Sequence, residues 1–273
     1  MREKGLRRLA IWVEYDGAEF QGWQVQPGAR TVQGELERAL STLCGEEIRI
    51  VGSGRTDSGV HALGQVAHFD TCSGIELLKI RLGAGGLIGK DLAVLDCREA
   101  ADFHAQHDAL GKTYRYRILN RRAPSPLRRA RTWHLRAPLG VERMREAAAF
   151  LAGEHDFAAF CREQGRPAST VRRLDRLEVR REEDEVVIEA AGNGFLRHMV
   201  RTIAGTLAQA GRGDRTPESV RRALESLDRT QAGPTAPPQG LYLVSVDYGP
   251  RTPPPAPPEP DAAEATLDAG EGL

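Results

Sequence analysis

Between residues 8 and 248 the hydrophobic residues of this chain change period repeatedly, and the order of the changes leaves few folds open. Residues 8–16, RLAIWVEYD, read as a strand. Residues 31–45 then carry Val32, Leu36, Leu40 and Leu43 at helical spacing, with Thr31 placed to cap the start and Gly45 to end it. Strand-like runs follow at 47–52 and 64–70, then a helix near 75–82 and a strand at 91–99. From residue 111 a similar order begins again: a strand at 111–120, a helix at 139–152, strands at 170–181 and 185–191, a long helix over 192–211, a helix at 217–227 and a last strand at 240–248. Strands and helices that mix without strict alternation point to an α+β fold. The expected architecture is two related halves, 1–109 and 110–250, sharing a central mixed or antiparallel sheet flanked by helices, although no sequence repeat is visible.

The chain's 273 residues suffice for such a core. Its amino-terminal stretch has only a short apolar run broken by Glu14 and Asp16, which fits neither a signal peptide nor a membrane span, so a cytoplasmic protein is expected. Cys44, Cys72, Cys97 and Cys161 stand far apart and read as reduced thiols rather than as a zinc site or disulfide framework. His61 and His104 lack a third ligand, so no metal is assigned. Charge is more informative than its total. The 38 basic and 38 acidic residues cancel, yet the Pro- and Ala-rich segment 251–273 reads as a disordered tail, holding Glu259, Asp261, Glu264, Asp268 and Glu271 with no Lys or Arg beyond Arg251. Without residues 252–273 the chain is left with 38 basic against 33 acidic residues. Its basic residues cluster at 117–136, 171–181 and 195–201, stripes that could hold a polyanion or simply face solvent.

Residues 52–61, GSGRTDSGVH, join two strands and present Arg55, Asp57 and His61 on a glycine-supported turn. The dinucleotide motif fails here because G-x-G-x-x-D replaces G-x-G-x-x-G and a strand follows where a helix is required. No G-K-[ST] closes a phosphate loop, and the acidic spacing of an EF-hand is missing. One carboxylate, Asp57, survives as a candidate for chemistry, with an Asx-type turn hydrogen bond as the alternative.

Read together, GRTDSGVHALGQVAHF (54–69), DFHA (102–105), GKTYRYRI (111–118), NGFLRHMVRTIAG (193–205) and GLYLVSVDY (240–248), with VEYDGAEFQGWQVQPGARTVQGELERAL (13–40), closely resemble the bacterial tRNA pseudouridine synthase A family over residues 9 to about 249. The resemblance implies the pseudouridine synthase fold and a set of roles. Asp57 matches the aspartate that engages the target uridine while its glycosidic bond is broken, and Arg201 the arginine that pairs with it. Tyr114 matches the tyrosine that packs against the base and assists proton removal from C5. Arg55 matches the arginine that fills the space left by the extruded base, and Leu241 an apolar residue beneath the uracil ring. Phe195 and Met199 are read as core residues at helical spacing, and His198 as structural beside them. The implied activity is isomerisation of uridines 38, 39 and 40 in the tRNA anticodon stem-loop by a homodimer, with no cofactor and no membrane association. The segment GAGGLIGKDLAV (83–94) departs from the family by lacking an N-x-x-L-P pattern. Other readings of the same residues are a synthase with another RNA target such as rRNA, a non-catalytic RNA-binding protein, or an Asp-dependent glycosidase needing a second carboxylate.

Overall fold

A computed structural model describes residues 5–251, so the acidic tail from 252 onward lies outside the described residues. The strands are β1 (Arg7–Tyr15), β2 (Val51–Gly52), β3 (His61–Thr71), β4 (Leu92–Glu99), β5 (Gly111–Asn120), β6 (Trp133–Leu135), β7 (Gly153–Asp156), β8 (Val171–Glu182), β9 (Glu185–Gly192) and β10 (Leu241–Asp247). The helices are α1 (Val32–Cys44), α2 (Leu77–Leu87), α3 (Val141–Ala149), α4 (Met199–Arg212) and α5 (Pro217–Ser226).

All ten strands form one mixed sheet in the order β4-β1-β3-β10-β5-β9-β8-β7, with β2 added to β3 and β6 to β5. The β3/β10 and β5/β6 pairs are parallel and the rest antiparallel. The order β4-β1-β3 recurs as β10-β5-β9, so the second half repeats the pairing of the first. Strand β10 also joins the two, because it lies between β3 and β5.

Alternation along the strands decides which face carries the helices. On β1, Leu9, Ile11, Val13 and Tyr15 enter the core that holds residues of α1 and α2, while Ala10 and Trp12 face the other way into a small cluster with Phe103 and Tyr248. A second core gathers Tyr116, Ile118 and Ile188 with residues of α3, α4 and α5. Leu241 belongs to that core and Leu243, two residues along β10, to the first, so both cores cover the same sheet face. The helices therefore form two groups, with the central strands β3, β10 and β5 running between them. We call the opposite face of the sheet the far face.

Capping follows the residue types. Thr31 accepts from Gly34 N–H at 3.2 Å to start α1, and Gly45, left-handed at φ 71°, ends it. The structure departs from the sequence reading at α2, α4, β6 and β7. Helix α2 runs on to Leu87 through Gly83, Gly85 and Gly86, a run that normally weakens a helix. At Gly83 a Cβ would stand 2.9 Å from Leu43 Cδ2, so the bare backbone is what lets α1 and α2 approach. Helix α4 begins at Met199 rather than at 192: His198 takes a left-handed conformation at φ 67°, and residues 193–198 form an irregular approach to the helix. Strands β6 and β7, three and four residues long, carry no periodic signal and were not anticipated.

Candidate active site

Asp57 stands on the turn between β2 and β3, and that turn is held from several directions. Trp23 N–H donates to Thr56 O at 3.1 Å, and the Thr56 hydroxyl bonds Tyr15 Oη at 2.8 Å. Gln65 donates from Nε2 to Gly54 O at 2.8 Å and accepts from Ser53 Oγ at 2.6 Å. Val60 N–H closes the turn onto Asp57 O at 3.2 Å. At Gly59, φ 77° selects glycine for the bend. A turn pinned this way presents its carboxylate with little freedom.

The partner side chains arrive from the other half of the chain. Arg201, in the first turn of α4, donates from Nη1 to Asp57 Oδ2 at 3.0 Å and from Nε to Ala236 O at 2.8 Å. His198 Nε2 stands 3.4 Å from the same Oδ2, and Arg197 Nε 3.8 Å from Oδ1. The carboxylate is 26% exposed and the Arg201 side chain 13%. Three basic side chains thus surround one carboxylate, most closely at Oδ2. Burial lowers the pKa of His198 despite the raising effect of Asp57, so its ring is neutral at pH 7.

These groups open into a cleft of about 1620 Å³ between the two helix groups, lined among others by Arg55, Asp57, Lys112, Tyr114, Arg201 and Leu241. All five residues predicted for the site therefore share one cavity, although 144 positions separate Asp57 from Arg201. Tyr114 is half-buried and meets Phe195 edge to face, with ring centroids 4.9 Å apart. Burial first, then Tyr15 and Asp57, push its phenol well above the ordinary tyrosine range, so the hydroxyl is a proton donor rather than a phenolate. Leu241 is 7% exposed at the start of β10, an apolar patch of the wall. Arg55 is exposed and has neither a hydrogen bond nor an ion pair among the described residues.

Some side chains fall elsewhere than expected. His61 is buried away from chemistry: its Nδ1 accepts from Gly17 N–H at 3.0 Å and its Nε2 faces Gln239 O at 3.2 Å, which ties the amino-terminal segment to the start of β10. His198, read as structural, lies against Asp57, because the left-handed residue ahead of α4 turns the ring into the cleft. Phe195 packs on Tyr114 rather than along a helix face. Lys112 was not singled out, although the period of two that places Tyr114 in the cleft also places Lys112 there, two residues earlier on β5. Among the described residues no group of three or more His, Cys, Asp or Glu is arranged to hold a metal, and no helix is long and apolar enough to cross a membrane.

A family model described as tRNA pseudouridine synthase matches residues 11–81 and 147–249. The chain is 50% identical over 243 residues to tRNA pseudouridine synthase A of Methylococcus capsulatus, covering 88% of this chain and 89% of that protein. To the protein of the same name from Geotalea uraniireducens it is 46% identical over 244 residues, covering 89% of this chain and all of the relative. To that of Myxococcus xanthus it is 44% identical over 265 residues, or 96% and 99% of the two chains.

Proposed function

This chain belongs to the tRNA pseudouridine synthase family, and we propose that it isomerises uridine to pseudouridine at positions 38, 39 and 40 of the tRNA anticodon stem-loop, acting as a cytoplasmic homodimer. The observation that carries this reading is the ion pair of Asp57 with Arg201 at 3.0 Å, at the wall of a cleft wide enough for a nucleotide.

Pseudouridine formation breaks the N1–C1′ bond, turns the base in its pocket and rejoins it through C5, whose proton leaves. No electrons are exchanged and no group is imported, so the reaction needs no cofactor. What it needs is a carboxylate kept ionised while water is excluded. The guanidinium of Arg201, donating from Nη1 to Asp57 Oδ2 at 3.0 Å, sets a fixed positive charge beside that carboxylate. A target inside a stem must leave its stack, and Tyr114 offers an aromatic face to receive it. Because burial keeps the phenol protonated, its ring face and O–H donor are what Tyr114 brings to the bound base. Leu241 supplies the apolar floor beneath the uracil, and Arg55, exposed and unpaired at the rim, is placed to fill the gap the base leaves.

Tritium release from tRNA labelled at C5 of uridine tests the reaction. Wild-type protein should release label from stem-loops carrying uridine at 38, 39 or 40 and not from stem-loops with cytidine there. Release from uridines elsewhere in place of these would overturn the position assignment. Sedimentation equilibrium at micromolar concentration should return twice the chain mass.

A further inference from the structure

Lys112 differs from the other cations around the cleft. Its side chain is half-buried, and Nζ donates one hydrogen bond, to Ser53 O at 2.7 Å. No carboxylate of the described residues forms an ion pair with it, since the nearest candidate on the loop, Asp57, is held by Arg201. An ammonium group has three N–H donors, so two find no acceptor among the described residues and are left to whatever occupies the cleft. The ammonium lies close over the loop: a Cβ on Gly54 would stand 2.6 Å from Nζ and would push the flexible end of the lysine aside. An uncompensated, partly desolvated charge is costly, and burial alone pulls the Lys112 pKa down to about 8. A lysine kept only to brace Ser53 O would retain that cost with no return.

We propose that Lys112 is the counter-ion of a backbone phosphodiester of the RNA that enters this cleft, a contact that seats the target nucleotide over Asp57. The proposal rests on the RNA-directed reading above, because phosphodiesters are the only anions such a substrate brings. A compact ammonium suits a single phosphate oxygen. The contact also changes the charge state. A phosphate at Nζ stabilises the protonated form, so near pH 8.5 binding should draw a proton onto Lys112, whereas near pH 6.5 the group is charged beforehand and takes up none.

The surrounding groups leave that window clear. Arg55 and Asp57 face the cleft from the loop, Arg172 from β8, Arg197 and His198 from the approach to α4, and Arg201 from its first turn. Burial puts His198 below the ordinary histidine range and raises both Tyr114 and Tyr248 above the tyrosine range. The cross-strand neighbours Val246 and Gly192 carry no charge, and Asp108, in the segment after β4, accepts from His104 N–H at 2.8 Å.

The test uses wild-type protein and a stem-loop RNA carrying the pseudouridine product, so that binding is read without turnover. Titration calorimetry in two buffers of different ionisation enthalpy should show uptake of about half a proton or more near pH 8.5 and almost none near pH 6.5. Inorganic phosphate at millimolar concentration should not reproduce the uptake. Lys112→Met should raise KM about tenfold, the scale of one lost charged hydrogen bond. It should also abolish the uptake and reduce the slope of log Kd against log salt by about 0.7. Lys112→Arg should recover most of the KM. No uptake by wild type near pH 8.5 would overturn the proposal whatever the variants do. So would a Lys112→Met enzyme with unchanged KM and salt slope and a reduced kcat, which would make the residue a brace for the loop. Loss of the RNA-directed reading is a separate result: wild-type protein would then release no tritium from tRNA at all.

Discussion

Strand β5 has two faces, and both carry cations. Lys112 and Tyr114 point into the cleft, whereas Arg115 and Arg117 point to the far face of the sheet. There Arg115 and Arg176 hold Glu189 at 3.0 and 2.7 Å, Arg117 and Arg128 hold Glu185 at 2.8 and 3.0 Å, Arg121 and Arg128 hold Asp184 at 3.0 and 2.7 Å, and Arg180 holds Glu182 at 2.5 Å. Each of these arginines has a carboxylate within hydrogen-bond distance. Among the described residues of the cleft only Arg201 has one, Arg197 stops at 3.8 Å, and Arg55, Lys112 and Arg172 have none. A guanidinium that already donates to a carboxylate must give up that bond to take a phosphate, so a charge count says less about RNA binding than a count of unmet donors. Of the basic stripes visible in the sequence, 117–136 and 171–181 hold Arg117, Arg121, Arg128, Arg131, Arg173, Arg176 and Arg180 in such pairs, while Arg172 of the second stripe lines the cleft. The stretch 195–201 supplies the site.

The contrast can be broken most severely at Asp57. Asp57→Ala should lower turnover by at least about a thousandfold while stem-loop affinity persists, because removing the central carboxylate takes away chemistry and leaves the phosphate contacts. Tritium release alongside a gel-shift titration reads both; residual turnover above about one thousandth of wild type would remove Asp57 from its role. Arg201→Ala comes next. It leaves a quarter-exposed carboxylate without its closest counter-ion, and kcat should fall about a hundredfold, a loss of about 2.7 kcal/mol. Lysine at 201 should rescue poorly, since one ammonium cannot serve both Asp57 and Ala236 O. Near-normal rates for Arg201→Ala from about pH 6 to 9 would show that the pair is dispensable.

On the far face the same kinds of group should affect stability and leave kinetics alone. His68, cross-strand from Ala10, is buried, and burial, then Arg8 and His104, bring its pKa down to about 4. An unfolded histidine titrates near 6.5, so between about pH 6.5 and 4 the unfolded chain binds more protons and stability drops as pH falls. The loss should be about 2 kcal/mol between pH 7 and pH 5, and denaturant titrations of His68→Gln should show a correspondingly flatter profile. Glu189→Gln has the smallest expected effect. It removes the shared charge of Arg115 and Arg176, both partly exposed, and should cost about 1 to 2 kcal/mol with kcat/KM unchanged. A kinetic defect in Glu189→Gln would erase the distinction between the faces.

Much of the fold could be read from local chemistry. The Thr31 cap, the Gly45 terminator and the period of two on β1 and β5 are decided within a few residues, and α1, β1 and β5 lie where those signals put them. The glycine run of α2 misleads because its reason is a contact with Leu43, an element away. The start of α4 was placed seven residues early because a left-handed histidine has no local signature, and the same error hid the approach of His198 to Asp57. At the site, the resemblance to a family singled out Asp57 and Arg201, since no spacing rule connects residues 144 positions apart. Lys112 was within reach of the strand period but looked like any surface lysine. What marks it is a half-buried ammonium with no carboxylate beside it among the described residues, and that can be seen only in three dimensions.

The position of β10 bears on how the molecule is made. Its residues 241–247 come after every other described strand in the chain, yet they lie between β3 and β5 and supply Leu241 to the cleft and Leu243 to the amino-terminal core. Without β10, β3 pairs only with β1 and the short β2, and β5 only with β9 and the short β6, so each half keeps an edge that is covered only in part. The final strand closes both in one step, and the cleft takes shape as it does. Synthesis interrupted before residue 241 therefore yields two exposed half-sheets and no complete pocket, so an arrested chain cannot modify RNA and is a target for chaperones and proteases.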